Sequence, residues 1–128
     1  MRSTIYAVIF STLFWCAGTA QAANDLDGKA VWCEDWHYGY VFRQGLVISY
    51  TYHGYSIVDV SHGKYNLEGT RFVKWMGMEF KLDRQTLRLT SRSGIKGSKS
   101  TPCAVSSKEE ISQKINTIIA EAKKKNKI

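Results

Sequence analysis

From Gly28 to Leu89 the chain is a succession of short runs rich in valine, isoleucine, tyrosine, phenylalanine and tryptophan, punctuated by Gly28, Gly39, Gly45, Gly54, Gly63, Gly69 and Gly77. Runs of this length and composition, cut by glycine, predict β-strands joined by tight turns. The clearest is Leu46 to Tyr52. There Leu46, Ile48, Tyr50 and Tyr52 share one face, and Val47, Ser49 and Thr51 share the other. Further strands are expected at Ala30 to Trp36, Tyr38 to Arg43, Tyr55 to Val60, Lys64 to Glu68, Arg71 to Trp75 and Met78 to Leu82. Beyond the polar turn at Asp83 to Thr86, a last strand turns Leu87 and Leu89 inward. A parallel sheet needs crossover segments of a dozen or more residues between its strands, and none is present here. The expected fold is therefore mainly β: a small antiparallel meander forming a curved sheet or small barrel, each strand with one buried and one wet face.

The character of the chain changes after the strands at about 30–90. Residues 91–101 read as a basic loop carrying Arg92, Lys96 and Lys99, ended by Pro102 and Cys103. A C-terminal amphipathic helix is expected over about 106–125, with Ser106 and Glu109, or Ser107 and Glu110, placed as a capping box. Its apolar stripe is Ile111, Ile115, Ile118, Ile119 and Ala122. Lys123, Lys124, Lys125 and Lys127 stand where cations complement the helix dipole. Charge divides unevenly: eight carboxylates outnumber six cations over residues 23–83, whereas eleven cations face three carboxylates over residues 84–128. The chain as a whole is basic, with a pI near 9.4.

At the N-terminus, Arg2, an apolar run from Ile5 to about Ala17 and the small-residue ending Ala20-Gln21-Ala22 have the layout of a secretory signal peptide over residues 1–22. The run is shorter than the ~20 residues that span a bilayer, so no transmembrane segment is expected once the leader is removed. Trp15 precedes Cys16, where a lipid-anchored leader places a small residue. The expected product is one β-rich domain over residues 23–128 in the periplasm or outside the cell. It retains Cys33 and Cys103, which an oxidising compartment would pair, helping to moor the helix to the first strand.

No nucleophile elbow, phosphate loop or metalloprotease helix occurs in the sequence. Glu34, Asp35 and His37 adjoin one another, but alternation along a strand separates the two carboxylates, so no catalytic residue is assigned. His53 and His62 each precede a glycine, which suits exposed turns; no metal site and no cofactor are expected. The aromatic residues are more numerous than a small core needs. Tyrosine and tryptophan are favoured at recognition surfaces, and they also serve as cross-strand pairs. The expected recognition face carries Trp36, His37, Tyr38 and Tyr40, with His53 and Tyr55 nearby, supported by Arg92, Lys96, Lys99, Lys123, Lys124 and Lys125.

These features point to a non-enzymatic binding module of the bacterial envelope or exterior. Its expected partner is a protein, an envelope glycan or an anionic surface. The leader places the chain away from nucleic acid, which is not an expected partner despite the basic charge. Two narrower alternatives follow. One is a lipocalin-like carrier of a small apolar ligand. The other is an inhibitor of an envelope-degrading enzyme: in outline, with its leader, short antiparallel barrel and disulfide, the chain is similar to the small exported β-barrel lysozyme inhibitors, although that family's binding-loop motif is absent. The oligomeric state is left open by the sequence.

Overall fold

In a computed structural model, which describes residues 25–77, 79–92 and 98–128, the meander closes on itself. Eight antiparallel strands follow one another around a closed barrel. They are β1 (Ala30–Cys33), β2 (Tyr38–Arg43), β3 (Leu46–His53), β4 (Ser56–Glu68), β5 (Phe72–Trp75), β6 (Phe80–Asp83), β7 (Arg88–Arg92) and β8 (Ser98–Ser106), and one helix, α1 (Lys108–Lys125), ends the chain. Among the described residues no helix is long and apolar enough to cross a membrane. The expected leader lies outside the described residues, as do Lys96 and Met78.

The strand count agrees with the sequence, but the strands differ in three places. The first ends at Cys33, because Glu34–Trp36 wind into a 3-10 turn that His37 closes in the left-handed region at φ 54°. The runs at Tyr55 to Val60 and Lys64 to Glu68 are one strand. His62-Gly63 is a bulge within it and no turn, since β4 passes from Ser61 to Lys64 while β3 passes only from Ile48 to Leu46. Gly63 takes φ 82°, a conformation that glycine adopts freely. Finally, much of the expected basic loop is strand: Arg92 ends β7, and β8 begins at Ser98 and runs through Thr101 to Ser106, past the expected limit near residue 90.

β8 pairs with β1 from Ala30↔Ser106 to Cys33↔Cys103, which completes the barrel. The cysteines stand directly opposite one another. Cys103 N–H points away from β1 and donates to Leu87 O at 2.8 Å, so the pair is of the narrow, non-hydrogen-bonded kind. Its Cα atoms are 4.1 Å apart and its sulfurs are bonded. The disulfide therefore joins the first strand to the last; it does not tie the helix directly, as the sequence suggested.

α1 starts at Lys108, and Ser107 caps it by accepting from Glu110 N–H at 3.2 Å. Only half of a capping box forms, because the Glu110 carboxylate instead accepts from the Ser106 hydroxyl. The helix lies outside the barrel and buries Ile111, Ile115 and Ile119 against Ala30, Trp32, Val41 and Tyr50. On these first strands both faces are therefore covered, whereas alternation alone suggested one wet face. In β2, Tyr40 and Phe42 enter the barrel core, while Val41 packs under α1.

Gly39, also on the helix side of β2, is not the turn glycine its spacing suggested. A Cβ at this position would lie 2.5 to 2.8 Å from three side-chain atoms of Ile111, which is fully buried. Gly39→Ala is expected to cost about 1–3 kcal/mol through overpacking. Ile111→Ala alone should cost about 2–5 kcal/mol. In urea denaturation the double variant should lose less than the sum of the two, because the clash disappears with the isoleucine. Additive losses would mean that Ile111 is not seated on Gly39.

The connections alternate between the two ends of the barrel. At one end the segment before β1 forms a plug: Leu26 is buried in the core, Asp27 accepts from Gly45 N–H at 3.0 Å and from the Tyr65 hydroxyl at 2.9 Å, and Asp25 pairs with Arg84 at 2.9 Å. Burial, followed by the Asp27 hydrogen bond, pushes the Tyr65 hydroxyl up to about 12. The other end carries the 3-10 turn, the β3–β4 hairpin tip and the β5–β6 turn, and it has no such plug among the described residues.

Candidate functional site

The open end holds a cup of about 300 Å³ lined by Trp36, Tyr38, Tyr40, His62, Phe80, Ser91 and Lys99. Strand register accounts for much of this lining. A row of directly opposed residues crosses four ladders, Tyr65↔Trp75, Trp75↔Phe80, Phe80↔Ser91 and Ser91↔Lys99. Opposed residues share a face, so the row that fills the barrel at Trp75 reaches the cup at Phe80, Ser91 and Lys99.

From the other side, β2 contributes Tyr38 and Tyr40, whose rings stack at 6.0 Å. Tyr40 is only 2% exposed and lies 5.3 Å from Trp75, which stacks on Phe80 at 5.5 Å. Burial, and secondarily Tyr38, raises the Tyr40 hydroxyl pKa, so it is a neutral group at the floor of the cup. The indole N–H of Trp75 is the one buried side-chain polar atom without a partner among the described residues.

His62 reaches the cup because of the bulge. The extra residue shifts the alternation of β4, so that His62 before it and Tyr65 after it both turn toward the interior. His62 Nε2 lies 2.8 Å from Ser49 Oγ, and Nδ1 lies 2.9 Å from Met76 Sδ. A serine and an imidazole at that separation resemble a nucleophile and its base. Here Ser49 is 2% exposed and does not line the cup, and a thioether stands where a carboxylate would orient the ring. The pair braces the cup wall.

Burial lowers the His62 pKa below its ordinary 6.5. The unfolded chain therefore takes up this proton first: stability is undiminished above the unfolded pKa and falls as pH drops through it, levelling off once folded His62 is also protonated. His62→Gln should reduce the drop in urea midpoint between about pH 7.5 and about pH 5. An unchanged drop would show that the imidazole is not held neutral.

The residues expected in one recognition face do not all come together. Trp36, Tyr38, Tyr40 and Lys99 meet in the cup. His37 turns away from it toward Tyr52, with ring centroids 6.2 Å apart, and its carbonyl accepts from Thr51 Oγ1 at 2.9 Å. His53 and Tyr55 lie at the exposed tip of the β3–β4 hairpin, where Tyr55 meets the end of α1: Asn126 Nδ2 donates to its hydroxyl, and the Lys123 ammonium sits 5.3 Å from its ring centre. Lys124 and Lys125 are exposed beside them on the helix, and Arg92 is exposed at the end of β7. Sequence reasoning missed His62, Phe80 and Ser91 as cup residues. The signal for His62 was the change of phase between Val58-Val60 and Tyr65-Leu67, which only a bulge reconciles.

Glu34, Asp35 and His37 do not assemble into an acid–base site. The Glu34 carboxylate accepts from the Trp32 indole, Asp35 is exposed, and His37 faces Tyr52. Among the described residues no group of three or more potential donors could hold a metal ion. A larger concavity of about 480 Å³ runs along α1, bordered by Glu34, Glu110 and Lys114, with Trp32 the one aromatic residue in its lining. No family model matches the chain, and no curated protein and no solved structure matches it.

Proposed function

We propose that the protein is a non-enzymatic binding module that recognises a macromolecular partner, a protein or an envelope glycan, through the open end of its barrel. The observation that carries this reading is the contrast between the ends: one is plugged by Leu26, Asp25 and Asp27, and the other presents a cup of aromatic side chains. Aromatic side chains provide large rigid contact area at little entropic cost, which is why they anchor interfaces. Basic groups accompany the cup: Lys99 lines it, Arg92 ends the adjoining strand, and Lys123 comes to the hairpin tip, with Lys124 and Lys125 exposed after it on α1. The N-terminal leader layout and the paired cysteines support a place in the periplasm or outside the cell. The carrier alternative is less well supported, because Phe42, Val47, Val73, Trp75 and Leu89 fill the barrel where an enclosed ligand would lie. The inhibitor alternative has no observation of its own.

The test is photo-crosslinking from position 38 in whole cells producing the full chain. A discrete adduct that disappears with Trp36→Ala and survives Arg84→Ala, which alters only the plugged end, is the expected result. Adducts insensitive to Trp36 would remove the open end as the recognition surface. If the lysines contribute, deleting residues 123–128 or raising the salt should weaken the association, since exposed charges are screened within about 10 Å at 0.1 M salt.

A further inference from the structure

We infer that the cup is a site for a flat, apolar group bearing one anionic substituent, an aromatic carboxylate in its simplest form. This deepens the reading above by naming the chemistry that the open end selects.

Size sets the first limit. A cavity of 150 Å³ holds benzene, so about 300 Å³ accommodates two fused rings, or one ring with a short polar arm. The walls set the second. Trp36, Tyr38, Tyr40 and Phe80 present ring surfaces, and the Tyr40 and Phe80 centroids are 6.2 Å apart, within the range over which aromatic groups pack in offset or edge-on arrangements. Both nitrogens of His62 are already engaged by Ser49 and Met76, so the imidazole is part of the wall and offers a ligand no free ring nitrogen.

Charge sets the third. Among the described residues Lys99 is the only permanently charged side chain in the lining, and it forms no ion pair with any of them. All eleven carboxylates of the chain fall within the described residues, so none is left elsewhere to neutralise it. Register fixes its position relative to the rings: Lys99 stands opposite Ser91, and Ser91 opposite Phe80. Neighbouring strands are about 4.8 Å apart, so the strand bearing the ammonium is about 10 Å from the strand bearing the Phe80 ring. A ring against Phe80 and Tyr40 with its anion toward β8 spans that interval.

Such a group can come free or as an aromatic residue beside an acidic one on a polypeptide, and the experiment has an arm for each. Binding of 2-naphthoate and of the capped tetrapeptide acetyl-Ala-Trp-Glu-Ala-amide is followed by amide chemical shifts of the full mature chain. The uncharged controls are 2-naphthamide and the corresponding Gln peptide. Each anionic probe that occupies the cup should bind about two- to fivefold tighter than its neutral control, the upper part of the range for one exposed charge pair. Lys99→Met should erase that preference and leave the neutral probe unchanged, whereas Arg84→Met, at the plugged end, should retain it. Whichever arm shows this pattern identifies the source.

Equal binding of charged and neutral probes, a preference indifferent to Lys99→Met, or no shift at Tyr38, Tyr40 and Phe80 with either probe would overturn the proposal. Those failures are separable from failure of the binding reading. A cross-link from position 38 that still depends on Trp36 would keep the open end as the recognition surface and discard only the ligand class.

Discussion

Trp75→Ala is expected to lower the unfolding free energy by about 3–5 kcal/mol, the range for removing a buried aromatic side chain. The indole is fully buried and holds together rings from three directions, Tyr40 at 5.3 Å, Phe42 at 5.8 Å and Phe80 at 5.5 Å. Two of those neighbours line the cup, so binding at the open end should be lost with the packing. Small domains are stable by about 5–15 kcal/mol, so the variant should be marginal at best. Trp75→Phe should cost markedly less, because a ring remains and the N–H without a partner is deleted. Urea midpoints for the two variants check both statements. A loss of under about 1 kcal/mol for the alanine variant would mean that the barrel interior is not packed around this residue.

Removing the disulfide should cost a comparable amount. The bridge joins residues 70 apart in sequence, and the chain-entropy model assigns about 4 kcal/mol to a loop of that length. Because Cys33 and Cys103 face each other across the β1–β8 ladder, the constraint acts on the seam that closes the barrel. The double variant Cys33→Ala/Cys103→Ala should therefore unfold at a clearly lower guanidinium midpoint than the oxidised parent. The parent in reductant should move toward the same value. Coincident midpoints with and without reductant would sink this account of the bridge.

Much of the barrel was legible because strands repeat every two residues and glycine marks most turns. Leu46 to Tyr52 shows how far that reading goes. Its two faces were separable by alternation, yet both proved covered, Val47 and Ser49 inside and Tyr50 under α1. Periodicity assigns residues to sides; it does not say what lies against each side. Gly39 and Gly63 show the opposite difficulty. A glycine in a row of β-type residues reads as a turn, although the first makes room for Ile111 and the second forms a bulge. β8 was hidden because its polar first half, Ser98 to Thr101, lacks the alternation that identifies a strand. It becomes a strand by pairing with β7 on one side and β1 on the other, contacts remote in sequence.

The candidate site was legible only in part, for the same reason. Trp36, Tyr38, Tyr40 and Lys99 were all expected at a recognition face, but nothing local relates Lys99 to Tyr38. Their meeting depends on barrel closure, which brings β8 round to β1 and β2. Local chemistry in the sequence by itself determined an antiparallel β meander, an amphipathic terminal helix and a pair of cysteines able to bridge. Only the tertiary structure decided that the sheet closes, which end is plugged, and which aromatic residues share a cup with Lys99. Strand pairing distant in sequence sets those outcomes, and a residue's own type and its near neighbours carry no record of them.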